Sequence, residues 1–295
     1  MDNFTHTNHI TLHYLDHPGE EPAIILLHGL TANAHFFDGL TASSLPNRLL
    51  AIDLRGRGQS DKPEAGYSMA DHAADILGLM DNLGLDRAIL AGHSFGGLLT
   101  CYLAANYPKR VARCIIMDSG FLHPNVKELI KPSLERLGQR IASWEAYRDG
   151  IKSAAYWQGF WDTAVENYYR ADVQSNNDGS VQARSRPATI AEAIDNALAE
   201  PWPAIFAEVH QPTLMLHAPG PFGAPGSMPV VPPAEAEATV NALPNCRYKA
   251  VPGNHMTMLF GDNVGVLAKE ISTFLEETGD WELLLISNLH SPISH

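Results

Sequence analysis

The chain reads as an α/β protein: a mostly parallel central sheet flanked by helices, with a helical insertion near its middle. Three observations point there. Short runs rich in branched residues alternate with longer amphipathic ones, the rhythm of a parallel sheet covered by helices. Several of the short runs are continuously apolar, as strands buried on both faces require. At 295 residues and 45% apolar content, the chain is long enough to bury a substantial core.

Taken in order, residues 10–15 read as an early edge strand and 23–27, 48–53 and 87–91 as central ones. The series continues at 111–117, 213–216 and 247–251, with helices expected over 69–83, 97–106, 233–243 and 263–277. Between 121 and 205 the rhythm changes to a helical stretch holding Trp144, Trp157, Phe160, Trp161, Tyr168 and Tyr169. The expected organisation is therefore a core of residues 1–120 and 206–278, a lid-like insertion of 121–205, and a tail of 279–295. Inside the insertion, Ser175 to Ser180 is loop chemistry, and Pro201 to Pro203 marks the return to the core. The stretch 219–233 is crowded with Pro and Gly and reads as a long irregular loop. The tail carries Trp281 and an apolar run at 283–286, and the sequence does not decide whether it docks.

The charge balance narrows the function classes. Twenty Lys and Arg against 33 Asp and Glu give a net charge of −13, which repels nucleic acid and anionic membranes and favours a small-molecule substrate. Cys101, Cys114 and Cys246 are odd in number and lack CxxC spacing, so a reducing compartment without a disulfide framework is expected. The polar N-terminus lacks a signal peptide's basic start and apolar run, and no stretch approaches the ~20 apolar residues of a membrane span. A cytoplasmic location follows as the expectation. Oligomeric state is not legible.

The most informative segment is Gly92-His93-Ser94-Phe95-Gly96, which follows an apolar strand and opens a helix. This is the G-x-S-x-G nucleophile elbow in its required context: a sharp turn exposes the serine hydroxyl, and the helix N-terminus behind it favours developing negative charge. Three further segments fall in the order that an α/β hydrolase shows. Leu27-His28-Gly29-Leu30 resembles that family's oxyanion loop. Asp53 to Ser60 is similar to its D-x-R-G-x-G-x-S turn, and Val251-Pro252-Gly253-Asn254-His255 to its late strand and histidine loop. The resemblance spans about residues 10 to 275 apart from the insertion, and it implies the α/β hydrolase fold with a helical lid.

The resemblance also implies roles. Ser94 is the nucleophile and His255 the general base, with the backbone N–H groups of Leu30 and Phe95 as oxyanion donors. His28 is expected to be structural, with a direct chemical role as the alternative. His93 occupies an elbow position pointing away from the nucleophile. His6, His9, His13 and His17 cluster without a metal-ligand pattern, and His290 and His295 lie in the tail. The acid departs from the common family pattern. The loop after the strand at 213–216 holds no Asp or Glu until Glu235. Asp118, at the end of the strand after the elbow helix, is the better candidate, with Glu235 and Glu237 as alternatives. Phe36, Trp157 and Trp161 are candidates for the substrate pocket, packing being the competing reading for the insertion's aromatics.

Other constellations fail on chemistry. Gly56 to Asp61 lacks the third glycine of a dinucleotide fingerprint, there is no Walker A sequence, and a dehalogenase on this fold needs a carboxylate where Ser94 stands. The resemblance therefore implies attack of Ser94 on an acyl carbonyl, with carboxylic ester hydrolysis leading and lactone, amide or activated carbon–carbon cleavage as variants. The rival classes are a non-hydrolytic ligand receptor and a cofactor-free oxygenase or perhydrolase. No metal or organic cofactor is implied.

Overall fold

The computed structural model describes residues 2–289, which leaves His290 and His295 outside the described residues. In chain order the strands are β1 (Asp2–Thr7), β2 (Ile10–His17), β3 (Glu20–Leu27), β4 (Asn47–Ile52), β5 (Ala88–His93) and β6 (Val111–Met117), then the short pair β7 (Val173–Ser175) and β8 (Val181–Ala183), then β9 (Thr213–His217) and β10 (Cys246–Ala250). The helices are α1 (Asp38–Thr41), α2 (Met69–Asn82), α3 (Phe95–Asn106), α4 (Val126–Glu135), α5 (Trp144–Lys152), α6 (Thr163–Asp172), α7 (Pro187–Ala199), α8 (Trp202–Ala207), α9 (Pro233–Ala242) and α10 (Asn263–Leu289).

The main sheet has eight strands in the order β1-β2-β4-β3-β5-β6-β9-β10. Only the β1–β2 and β2–β4 pairings are antiparallel. Alternation along the central strands feeds two cores. Ile25, Leu27, Leu90 and Ile116 pack on the face covered by α2, α3 and α8. Ile24, Leu26, Ile89 and Ile115 pack on the other, with residues of α1 and α10. Both faces are thus apolar, which is why these strands read as unbroken hydrophobic runs.

One expectation needs correction. Residues 10–15 are not at the edge, because residues 2–7 pair with them as β1, from Asp2↔Leu15 to Thr7↔Ile10. The two-residue loop between them is Asn8-His9, with φ of 43° and 63°, the backbone that a tight hairpin demands. The polar composition of β1 hid it. The last helix, α10, runs from Asn263 to Leu289 and so continues past the boundary expected at 279.

The insertion between β6 and α8 holds α4 to α7 and, between α6 and α7, the β7–β8 hairpin. Ser175 to Ser180 supplies the hairpin's turn, closed by Asn176 N donating to Ser180 O at 2.8 Å. Among the described residues no helix is long and apolar enough to cross a membrane.

Candidate active site

Ser94, Asp118, His255 and the His28–Leu30 loop all project from the C-terminal edge of the parallel strands, at the ends of β5, β6, β10 and β3. The elbow is tight. Ser94 has φ 53° and ψ −119°, a left-sided conformation rare outside glycine. It is held by its N–H to Met117 O at 3.0 Å and by Ser119 Oγ donating to Ser94 O at 2.6 Å. The flanking glycines are sterically compulsory. A Cβ on Gly92 would sit 2.0 Å from Gly96 O, and one on Gly96 would sit 1.9 Å from Leu27 O.

His255 Nδ1 lies 2.7 Å from Asp118 Oδ2. Asp118 Oδ1 accepts from Ala218 N at 3.0 Å, so both carboxylate oxygens are engaged, and the side chain is fully buried. The backbone at Asp118 also has positive φ, 46°, which asparagine and aspartate tolerate best among side chains larger than glycine. Glu235 and Glu237 do not approach His255. Glu235, in the first turn of α9, faces His123 at 3.9 Å.

The histidine loop is tied from several sides. Asn254 Oδ1 accepts from Met256 N and Thr257 N at 3.0 and 2.9 Å, and Asn254 Nδ2 donates to Tyr156 O of the insertion at 3.0 Å. His93 does not point away from the site: its ring lies 4.5 Å from that of His255, and its Nε2 bonds His255 O at 2.8 Å. Burial holds its pKa well below the ordinary histidine value, so the ring is neutral. A carbonyl can only accept, so the proton sits on Nε2, and the buried Nδ1 has no protein partner.

His28 is accounted for by hydrogen bonding. Its Nε2 accepts Leu54 N–H at 3.0 Å, which puts the proton on Nδ1, where it bonds Gly29 O at 2.7 Å. Burial lowers its pKa to about 4, and neither nitrogen is free for proton transfer. Beyond it, the Leu30 and Phe95 N–H groups have no protein acceptor among the described residues. Arg57 backs both of these residues. Its Nε donates to Leu30 O at 2.9 Å, and its guanidinium lies 5.4 Å from the centre of the Phe95 ring, with burial pushing its pKa down to about 10.

Ser94 stands where two lobes of a cavity meet, Leu30 and Ile130 also being common to both walls. One lobe is apolar, walled by Leu98, Phe121, Val126, Ile194 and Val230. The other holds Thr31, Ser133, Arg136, Tyr156, Tyr168 and His255. Phe36 lines this second lobe, its ring 4.7 Å from that of His93. Trp157 and Trp161 line neither. Trp157 is buried behind the wall, its Nε1 donating to Tyr169 Oη at 2.9 Å, and Trp161 stacks on Tyr169 at 6.0 Å. Aromatic content marked the right segment but the wrong side chains. Arg136 was missed altogether, because a lone arginine in an amphipathic helix carries no signal in sequence.

His217 fills the position that the sequence left without an acid. It ends β9, takes Tyr248 Oη on Nδ1 at 2.8 Å and Val231 O on Nε2 at 2.9 Å, and lies 4.0 Å from Asp118 Oδ1. A carboxylate there would face that of Asp118 at close range, so the chain houses one acid rather than two.

A mostly parallel sheet with a serine elbow, a histidine loop and a buried acid at one edge defines an α/β hydrolase. Residues 22–262 match the α/β hydrolase fold family, and the chain belongs to it. A 2-(acetamidomethylene)succinate hydrolase of Mesorhizobium japonicum is 29% identical over 241 residues, 80% of this chain and 81% of that protein. The crystal structure of an E-2-(acetamidomethylene)succinate hydrolase superposes with a TM-score of 0.81 at 24% identity, covering 94% of this chain and 99% of that one. An enol-lactonase from Burkholderia xenovorans gives 0.72 at 22% identity, covering 93% and 100%.

Proposed function

We propose that the chain is a serine hydrolase that cleaves a small-molecule carboxylic ester, or a related lactone, amide or activated carbon–carbon bond, through an acyl-enzyme. The observation that carries this reading is the 2.7 Å Asp118–His255 contact beside a serine on a strained elbow, with Ser94 and His255 opening to the same cavity. Asp118 fixes the imidazole with its proton on Nδ1, leaving Nε2 to take the Ser94 proton as Oγ attacks the acyl carbon. The N–H groups of Leu30 and Phe95, the latter at the N-terminus of α3, receive the oxyanion. His255 then protonates the leaving group and activates the water that releases the acid. The insertion acts as a lid whose tyrosines wall the cavity. Three free thiols and the acidic balance fit a cytoplasmic enzyme of small molecules.

A fluorophosphonate probe with peptide mapping, followed by a panel of p-nitrophenyl esters, tests this. Ser94 should be the labelled residue, and Ser94→Ala should fold yet lose roughly 10³- to 10⁶-fold in turnover. Labelling elsewhere, or more than a tenth of the wild-type rate in Ser94→Ala, overturns the assignment.

A further inference from the structure

The two lobes differ in chemistry, and only one of them meets His255. In acyl transfer the leaving atom takes its proton from the histidine, so the leaving group must occupy the lobe that His255 faces. The acyl remainder is left with the other. That other lobe is mostly apolar, with Leu98, Phe121, Val126, Ile194 and Val230 on its walls and Asp118 and Ser119 at its Ser94 end, and a carboxylate on the acyl group would meet Asp118 there.

The leaving-group lobe carries a prepared cation. Arg136, at the C-terminal end of α4, is 9% exposed and held from behind: Nη1 donates to Ser133 O at 2.6 Å, Nη2 to Thr31 O at 3.2 Å, and Nη2 lies 3.1 Å from Asp172 Oδ2. Asp172 is itself fixed by the Tyr147 hydroxyl at 2.5 Å. The Arg136 Nε–H has no protein acceptor among the described residues, and no Asp or Glu among them lines this lobe. With Asp172 facing Nη2 from behind, the guanidinium still offers its Nε–H beside the hydroxyls of Thr31, Ser133 and Tyr156, a planar set of donors that suits a carboxylate.

We infer that the substrate joins an apolar acyl group to a leaving group that carries a carboxylate, which Arg136 receives. This rests on the acyl-enzyme reading above. The Ser94 Oγ–acyl bond forms as the bond from acyl carbon to leaving oxygen or nitrogen breaks, and the serine proton passes through His255 to that atom. Water then attacks the acyl-enzyme, and its proton returns through His255 to Ser94. The products are an apolar carboxylic acid and a carboxylate-bearing alcohol or amine.

Acetyl, butyryl and hexanoyl esters of p-nitrophenol and of a carboxylated nitrophenol test both lobes at once. The wild-type protein should favour the carboxylated leaving group by about 10- to 100-fold in kcat/KM, the range of a hydrogen bond to a charged group, and chiefly through KM. Arg136→Gln should bring that ratio close to one, and Arg136→Lys should retain part of it. Ile194→Trp, which fills the apolar lobe, should turn a preference for hexanoyl into one for acetyl and leave the leaving-group ratio in place. A wild-type ratio near one, an Arg136→Gln protein that keeps the ratio, or faster cleavage when the carboxylate is on the acyl side would overturn the inference. The wild-type ratio needs no variant, so a misfolded Arg136→Gln does not shelter it. Fluorophosphonate labelling separates the two failures: a labelled Ser94 with no leaving-group preference refutes the lobes alone, and an unlabelled Ser94 refutes the hydrolase.

Discussion

Asp118→Asn isolates the part of the site at which this chain departs from the common family pattern. The two carboxylate oxygens meet the same demand, each facing an N–H donor: Oδ2 opposite His255 Nδ1 at 2.7 Å and Oδ1 accepting Ala218 N–H at 3.0 Å. An amide has one acceptor and one donor end, so it cannot serve both partners as the carboxylate does. With its oxygen toward Ala218, its NH₂ faces His255 Nδ1, the imidazole proton moves to Nε2, and the base can no longer take a proton from Ser94. The productive orientation sets NH₂ against N–H, leaving a buried donor unmatched at a cost of about 1–3 kcal/mol, which alone removes about 5- to 150-fold. Loss of the charge that stabilises the imidazolium adds to this, and the total expected fall in kcat is up to ~10⁴-fold, as in comparable triads. The assay is p-nitrophenyl ester turnover on folded protein with matched circular dichroism, beside Glu235→Gln and Glu237→Gln as near-silent controls. An Asp118→Asn enzyme with more than a tenth of the wild-type kcat, or a crippled Glu235→Gln, would refute the reasoning.

Acid should destabilise this fold early. His28, His72 and His93 are buried and neutral, with burial holding the pKa of His28 down to about 4 and the other two well below the ordinary 6.5. Each binds more protons unfolded than folded, so their contribution is complete above pH 6.5 and lost as pH falls toward 4, about 3 kcal/mol for His28 alone. Tm measured from pH 8 to 4 should drop steeply below 6.5, and a flat profile would contradict their burial as neutral rings. Trp157→Phe removes the bond to Tyr169 Oη from behind the cavity wall and should cost about 1–3 kcal/mol. Thermal melts should register that loss while the order of preference among ester substrates stays the same; a changed preference at unaltered Tm would return Trp157 to the pocket.

Strand and elbow were legible because their causes are local. Apolar runs marked β3, β5 and β6 since both of their faces are covered, and the glycines around Ser94 are dictated by backbone contacts within 2.0 Å. The Asp118–His255 contact was foreshadowed by the absence of an acid after β9 and by a carboxylate ending β6. Two kinds of feature were hidden. β1 is polar and owes its place to backbone pairing, which composition does not record. Arg136, Tyr156 and Tyr168 acquire meaning only when the insertion folds back over the sheet edge, and no spacing rule links them to Ser94. The same long-range packing put Trp157 behind Tyr169 instead of in the cavity.

The placement of Asp118 gives the molecule an uneven contact order. Ser94 and Asp118 come from consecutive strands of one β5-α3-β6 crossover, locked by Ser94 N–H to Met117 O at 3.0 Å, whereas His255 joins Asp118 from 137 residues away. Two of the three groups are therefore assembled by a unit that forms from near neighbours in the chain, and only the third waits for the long loop closure. A recombinant grafting a different insertion onto this scaffold would leave the register of Ser94 and Asp118 in place but would remove Tyr156 O, which holds Asn254 next to His255, so its cost should fall on the histidine loop rather than on the β5-α3-β6 unit.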